Sequence, residues 1–292
     1  MSELDRLVEY LETKNLNPKT IERHKANYRT ITANLSTDIH KIPQMELKKL
    51  LDGNIKKLNS EEVITNPNTL HNLTSTILYV LQAHDKSDNR LQIYSKRLKV
   101  LKEGYKREQT EKVSDLGITA KYLRNKLSEL YNKGKYLEYV INYLIINYNV
   151  RNEDLDLVIT DEAPLIDDDE NYLVVKPKSV MYIRNRYKTA KFHGQKVFII
   201  KTPKFVMAVN NLNQKYLLQD KNGNRLAKGS IGTIITRKSI DNLGTTKINK
   251  IITSEATNNA DEDKLVKISK RRGTHLDKLL DSYSYHEKHS VP

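Results

Sequence analysis

The sequence predicts a mainly helical protein with a small antiparallel sheet, divided into an all-helical N-terminal domain and an α+β C-terminal domain. Apolar residues recur at helical spacing through residues 1–112. Short β-branched and aromatic segments interrupt that pattern between residues 171 and 201. The length of 292 residues also favours two domains.

The N-terminal helices have recognisable start signals. Asn17-Pro18 and Asn66-Pro67 each place a capping side chain before a proline at the first helical position. A long helix is predicted from about residue 89 to 111. These helices predict a bundle over residues 1–112.

The C-terminal domain is predicted to cover residues 119–292, after a linker at 113–118. It should begin with two helices and end with further helices. Between them, three strands are predicted at 171–175, 180–187 and 196–201, with a hairpin turn at 191–194.

Composition excludes several classes of protein. The absence of cysteine excludes a disulfide scaffold, a thiolate zinc site and an iron–sulfur cluster. No apolar run approaches the ~20 residues that span a bilayer, and the N-terminus does not resemble a signal peptide. We therefore expect no membrane partner, and a location inside a cell (nucleus or cytoplasm of a host) or in a virion. The abundant Asn, Ile, Lys and Tyr have AT-rich codons, which fits a virus or mobile element.

Charge indicates a polyanionic partner, and double-stranded DNA is the favoured one. Lys and Arg number 50 against 36 Asp and Glu, a net charge of +14. Nine bases and no acid lie between residues 176 and 204. The alternative is a highly charged soluble protein without such a partner. The predicted DNA contacts are Lys176, Lys178, Arg184, Arg186, Lys191, Lys196, Arg271 and Arg272.

An acidic run precedes the basic one, with nine acids and no Lys or Arg between residues 153 and 170. We interpret it as a solvated turn. Asp167 to Glu170 could hold Mg²⁺, but four adjacent acids cannot all face one ion without a special loop. No phosphate-binding glycine motif is present, so we expect neither a metal nor a cofactor.

Three segments carry a family resemblance. Leu4–Leu35 has an amphipathic helix, an Asn-Pro-x-Thr turn and a second helix. Tyr143–Leu155 is an apolar helix that leads into Arg151 and an Asp-Leu pair, and Gly273 is followed ten residues later by Tyr283. The chain resembles tyrosine recombinases, the family of phage-type integrases, and more distantly type IB topoisomerases.

The resemblance implies a chemistry and assigns roles. Tyr283 would attack a scissile phosphate and form a 3′-phosphotyrosyl bond, without metal or cofactor. Arg151 would be the first of two arginines that stabilise the transition state. Lys188 would be the general acid that protonates the leaving oxygen, and Lys191 is the competing candidate.

Two of the family's boxes are altered. Lys247 stands where recombinases have histidine, although the topoisomerase relatives have lysine there. Lys250 replaces the second arginine and loses its bidentate grip on two phosphate oxygens. Thr274 replaces the histidine of a Gly-His-Ser motif, and His275 comes one residue late.

These changes leave two function classes open. The first is a DNA strand transferase with a degenerate active site, for recombination or integration. The second is a recombinase-fold protein without catalysis that binds a genome or forms part of a viral particle, with its own copies or neighbouring viral structural proteins as partners. His40 and His84 share no motif spacing and are interpreted as surface or core histidines.

Overall fold

The computed structural model describes residues 1–162 and 169–283, without the side chains of Gln109, Ser282 and Tyr283. The chain divides into two compact units, Met1–Glu111 and Lys112–Pro292.

The N-terminal unit is helical, as predicted. Asn17 Oδ1 accepts a hydrogen bond from the Lys19 amide, and Asn66 Oδ1 accepts one from the Thr69 amide, so both predicted caps form. Buried leucine and isoleucine side chains from several helices form one core. The elements are α1 (Glu3–Thr13), α2 (Pro18–Thr32), a 3₁₀ turn (Ile39–Lys41), α3 (Gln44–Leu51), α4 (Pro67–His84) and α5 (Arg90–Ser114).

Helix α5 extends beyond the position at which the sequence predicted a linker. It ends at Ser114, so the predicted linker at 113–118 begins inside a helix. Val113 is buried in the core of the C-terminal unit, which accounts for the additional helical turn.

The C-terminal unit surrounds a buried central helix. This helix, α7, is apolar on nearly all sides and packs against helices before and after it in the chain. The helices are α6 (Ala120–Asn132), α7 (Tyr136–Tyr148), α8 (Ala190–His193), α9 (Pro203–Asn210), α10 (Lys228–Lys238), α11 (Gly244–Asn258), α12 (Glu262–Arg272) and α13 (Leu276–Tyr283). No described helix is long and apolar enough to cross a membrane.

The sheet has four strands and is mixed, whereas the sequence predicted three antiparallel strands. The strands are β1 (Leu157–Thr160), β2 (Asn171–Lys176), β3 (Ser179–Arg184) and β4 (Lys196–Ile200), and they lie side by side in that order. Strand β1 is parallel to β2, and the other neighbours are antiparallel. The prediction missed β1 because its four residues lie inside the acidic run that we interpreted as a turn. The mainly helical class with a small sheet is confirmed.

Candidate functional site

The first recombinase-like box begins where α7 ends. Asn149 has φ of 52°, in the left-handed region, where asparagine is tolerated better than most residues. Its side-chain amide donates to Asn249 Oδ1 at 3.1 Å, and the Asn249 amide donates to the Val150 carbonyl at 3.0 Å. Helix α11 therefore holds the start of the box in place.

Arg151 is half-buried at the beginning of the 3₁₀ turn Asn152–Leu155. Its backbone N–H donates to Asp154 Oδ2 at 2.8 Å. Its guanidinium Nη1 donates to the carbonyl of Arg272 at 3.0 Å. The predicted first catalytic arginine is thus joined to the end of α12.

Arg184 and Asp154 form a fully buried ion pair, with Arg184 Nη2 2.6 Å from Asp154 Oδ2. Arg184 Nη1 also donates to the Arg271 carbonyl at 2.6 Å, and the guanidinium lies 4.6 Å from the ring centroid of Tyr187. The sequence predicted Arg184 as a DNA contact. That prediction is wrong, because the side chain has no exposed surface.

Lys196 also reaches the end of α12. Its Nζ donates to the Lys270 carbonyl and lies 5.8 Å from the ring centroid of Tyr187. Burial, and secondarily the charge of Arg184, lowers the pKa of Lys196. The sequence predicted that Lys196 contacts DNA. In the structure its ammonium group instead donates to a backbone carbonyl of the same chain.

These contacts form a common arrangement, which we name the carbonyl cap. It consists of the backbone carbonyls of residues 270–273 and their four side-chain donors, which are Arg151, Arg184, Lys196 and Thr189. The last carbonyls of a helix lack intrahelical partners and carry the negative end of its dipole. Three cations and one hydroxyl therefore donate to the carbonyls at the end of α12, where the Gly273 N–H also donates to the Lys270 carbonyl.

Gly273 occupies the centre of the carbonyl cap. Its φ is +63°, the left-handed conformation that ends α12. An added Cβ would lie 2.8 Å from Tyr187 Cε2 and 2.9 Å from Thr189 Oγ1. Both backbone conformation and lack of space therefore require glycine at the position that the family resemblance singled out.

The predicted basic pair Arg271-Arg272 forms a second set of helix-end contacts. Arg271 Nη1 donates to the Asn147 carbonyl at 2.5 Å, and Arg272 Nη1 donates to the Asn149 carbonyl at 2.9 Å. Arg272 is buried. The pair thus stabilises the end of α7. Arg272 was predicted to contact DNA, but its side chain is buried and binds the backbone of this protein instead.

The remaining basic residues do not form one surface. Strand β3 runs between the two ends of the sheet, and Arg184 and Ser179 are roughly 17 Å apart along it. Exposed Lys176, Lys178, Lys201 and Lys204 lie beyond the Ser179 end, and exposed Lys188 and Lys191 lie beyond the Arg184 end. The predicted nine-base stretch is therefore split between opposite ends of the sheet.

The acidic run is only in part the solvated segment that the sequence predicted, since Glu153, Asp161, Glu162 and Asp169 are exposed. Asp154 and Asp156 are buried. Asp156 lies 2.7 Å from Arg186 and 2.8 Å from Arg225, so Arg186 is ion-paired as well. Glu170 also pairs with Arg225. Asp167 and Asp168 lie outside the described residues.

Two of the altered-box residues lie at the surface near the β3–β4 connection. His275 is exposed, and its ring centroid lies 6.1 Å from that of His193. Thr274 is half-buried, and its carbonyl accepts a hydrogen bond from Ser269 Oγ at 2.6 Å. Neither residue is a donor to the carbonyl cap.

Lys247 and Lys250 lie on α11 and are both half-buried. Burial lowers the pKa of Lys250. Within residues 1–162 and 169–283, no hydrogen bond or ion pair joins either lysine to the carbonyl cap. Tyr283 is the last residue of α13, and its side chain lies outside the described part of the structure, so the predicted catalytic roles of these residues stay predictions.

Comparison with known proteins gives one structural likeness. No family model matches the chain, and no curated protein matches it. The crystal structure of XerA recombinase is similar over 98% of this chain and 94% of that chain, with a TM-score of 0.38 and 12% sequence identity. At this TM-score the likeness carries no argument about the site or its chemistry.

Proposed function

We propose that the chain binds double-stranded DNA as a recombinase-like protein whose strand-cleavage site is weakened or lost. The observation that carries the second half of this proposal is the carbonyl cap. The family resemblance directs Arg151 at the scissile phosphate, and here its guanidinium donates to the Arg272 carbonyl. Lys196, a predicted DNA contact, donates to the Lys270 carbonyl in the same way.

The physical consequence concerns the transition state. A pentacoordinate phosphorane gains negative charge, and donors already aimed at its oxygens stabilise it. A cation that first has to leave its carbonyl gives up a charge-assisted hydrogen bond, which contributes about 1.5–3 kcal/mol. Lys250 in place of arginine weakens the same site further, because it cannot form a bidentate contact.

DNA binding rests on charge. The net charge of +14 favours a polyanion, and six lysines of the basic stretch remain exposed after the buried and ion-paired bases are set aside. Each lysine that neutralises a phosphate releases counterions from the duplex and makes affinity dependent on salt.

A second candidate, active strand transfer, is favoured by one observation. Lys250 is half-buried with a lowered pKa, and no ion pair of the described residues involves it. Such a lysine on α11 is a cation that a bound phosphate could still recruit.

Covalent trapping on nicked suicide duplexes separates the two candidates. We expect a slow or absent protein–DNA adduct from the natural chain, a faster one from Lys250→Arg, and none from Tyr283→Phe. Rapid adduct formation by the natural chain, abolished in Tyr283→Phe, would refute the weakened-site proposal and establish strand transfer.

DNA binding is tested by fluorescence anisotropy with a labelled duplex between about 50 and 200 mM salt. The double variant Lys188→Glu/Lys191→Glu should reduce the slope of log affinity against log salt by about 0.9 for each lost phosphate contact. Lys178→Glu/Lys201→Glu carries the same charge change at the other end of the sheet and shows whether both ends touch DNA. Salt-insensitive binding, or no binding by the natural chain, would contradict the proposal and favour a structural role in a particle.

A further inference from the structure

The N-terminal unit contains a cluster of three side chains that come from distant parts of the chain. Glu3 lies in the first turn of α1, His40 in the 3₁₀ turn, and His84 at the end of α4. One potential ligand atom from each lies within 4.8 Å of the others. Glu3 Oε1 is 2.7 Å from His40 Nδ1 and 3.8 Å from His84 Nε2. We name it the Glu3 cluster.

The backbone holds the Glu3 cluster in position. Glu3 Oε2 accepts the Ile39 amide at 2.9 Å, and Glu3 Oε1 accepts the His40 amide at 2.9 Å. Arg90 Nη2 donates to the His40 carbonyl at 2.9 Å. A ligand would therefore meet residues whose chain segments are already fixed, which lowers the entropy lost on binding.

One nitrogen of the Glu3 cluster has a lone pair or proton that no described residue engages in a hydrogen bond. His84 Nε2 is buried and has no hydrogen-bond partner among the described residues. A buried polar atom without a partner is unfavourable by about 1–3 kcal/mol. This nitrogen faces the carboxylate of Glu3, whose side chain is only 1% exposed.

We propose that the Glu3 cluster is a binding site for a divalent transition-metal ion, with Zn²⁺ as the best fit. The donor set is two imidazole nitrogens and one carboxylate oxygen, a combination that binds zinc with a fourth position left for water. Zinc bonds of about 2.0–2.1 Å place tetrahedral ligand atoms about 3.3–3.4 Å apart. The observed separations of 2.7 and 3.8 Å bracket that value.

Binding requires a small movement of one ring. The rings of His40 and His84 are stacked, with centroids 3.8 Å apart and planes 11° apart, whereas a metal lies in the plane of each imidazole that binds it. Rotation about χ2 of His84 brings Nε2 towards the shared ion, and this torsion is broad for histidine.

The position of Arg6 is unfavourable for binding of a metal ion at the Glu3 cluster. Its Nη1 lies 3.4 Å from His84 Nδ1, and its positive charge repels a dication. The carboxylate of Asp38 is close enough to act electrostatically on His84, and its negative charge compensates in part. Arg6 is exposed and can turn towards solvent. Its removal should therefore tighten metal binding.

The experiment is calorimetric titration of the metal-free full chain with Zn²⁺ alone, together with Co²⁺ absorption spectra that report coordination geometry. His286 and His289 in the C-terminal tail offer a competing pair of imidazoles, so all variants carry His286→Gln and His289→Gln. We expect binding of one Zn²⁺ in this background. His40→Gln and His84→Gln should each weaken it at least about tenfold, and Arg6→Gln should strengthen it.

The matched control is His71→Gln, the same substitution on the same helix as His84 but outside the Glu3 cluster. It should leave the affinity unchanged. Circular dichroism of each variant verifies folding, and Arg6→Gln tests the site without removing a ligand. Absence of Zn²⁺ binding in the tail-substituted background, or equal affinity in His84→Gln and His71→Gln, would overturn the proposal.

Discussion

Substitution of Gly273 by alanine tests the carbonyl cap most directly. Two effects add at this position. The left-handed conformation, with φ of +63°, costs an L-residue about 1–2 kcal/mol. The new Cβ would also lie 2.8 Å from Tyr187 Cε2 and 2.9 Å from Thr189 Oγ1, and overpacking of this kind costs about 1–3 kcal/mol. We therefore expect Gly273→Ala to destabilise the C-terminal unit by about 2–5 kcal/mol.

Gly134→Ala is the matched control. Gly134 follows α6 with φ of +68°, and an added Cβ there would meet no atom within 4 Å. Only the conformational cost applies, about 1–2 kcal/mol. Urea denaturation followed by circular dichroism measures both variants against the natural chain. Equal losses of unfolding free energy in the two variants would refute the argument that close packing around Gly273 requires glycine.

Three further predictions concern buried polar groups. Asp154→Asn should destabilise the protein by about 3–5 kcal/mol, because it leaves a buried arginine unpaired, whereas Asp241→Asn at an exposed carboxylate should cost less than about 1 kcal/mol in the same denaturation assay. Burial, and secondarily a neighbouring arginine, lowers the pKa of His24 to about 4. The unfolded chain therefore binds a proton that the folded one does not between about pH 6.5 and 4. Unfolding free energy should fall as pH falls through this window, and His24→Gln should flatten that dependence; an unchanged profile would contradict it. Asn249→Ala should lower the unfolding free energy by about 1–3 kcal/mol, because it leaves the Val150 carbonyl without its side-chain donor. Asn258→Ala, at an exposed position on the same helix, should leave the unfolding free energy nearly unchanged.

The sequence predicted the features that depend on neighbouring residues. Asn17 and Asn66 cap helices as expected, because capping joins a side chain to a backbone amide two or three residues away. The general class, helices with a small sheet, follows from the spacing of apolar residues. Strand β1 was not predicted, because its four residues lie within an acidic run and are too few to show the alternation of apolar residues that marks a strand.

The carbonyl cap could not be predicted from the sequence. Arg151 and Arg272 are 121 residues apart, and no local pattern shows that a basic side chain will end at a carbonyl rather than in solvent. The excess of lysine and arginine in the sequence led to the prediction of a phosphate-binding surface, and Arg184 was included in that surface. One feature of the sequence did indicate internal ion pairs. Asp154 and Asp156 precede the basic stretch, and buried carboxylates need cationic partners.

The Glu3 cluster was hidden for the same reason. Residues 3, 40 and 84 belong to three elements and share no motif spacing. Only the folded N-terminal unit brings the two histidines against one carboxylate.

The carbonyl cap also sets an order on synthesis of the chain. Its donors occur at residues 151–196, and its acceptors at residues 270–273 follow 74 to 121 residues later. While a ribosome is still making the intervening helices, the sheet carries Arg184 and Lys196 without these acceptors. The donors and acceptors are far apart along the chain, so the intervening segment must bring its two ends together before the contacts form. This step is therefore slow compared with local helix formation. The C-terminal unit is therefore completed only when α12 has left the ribosome.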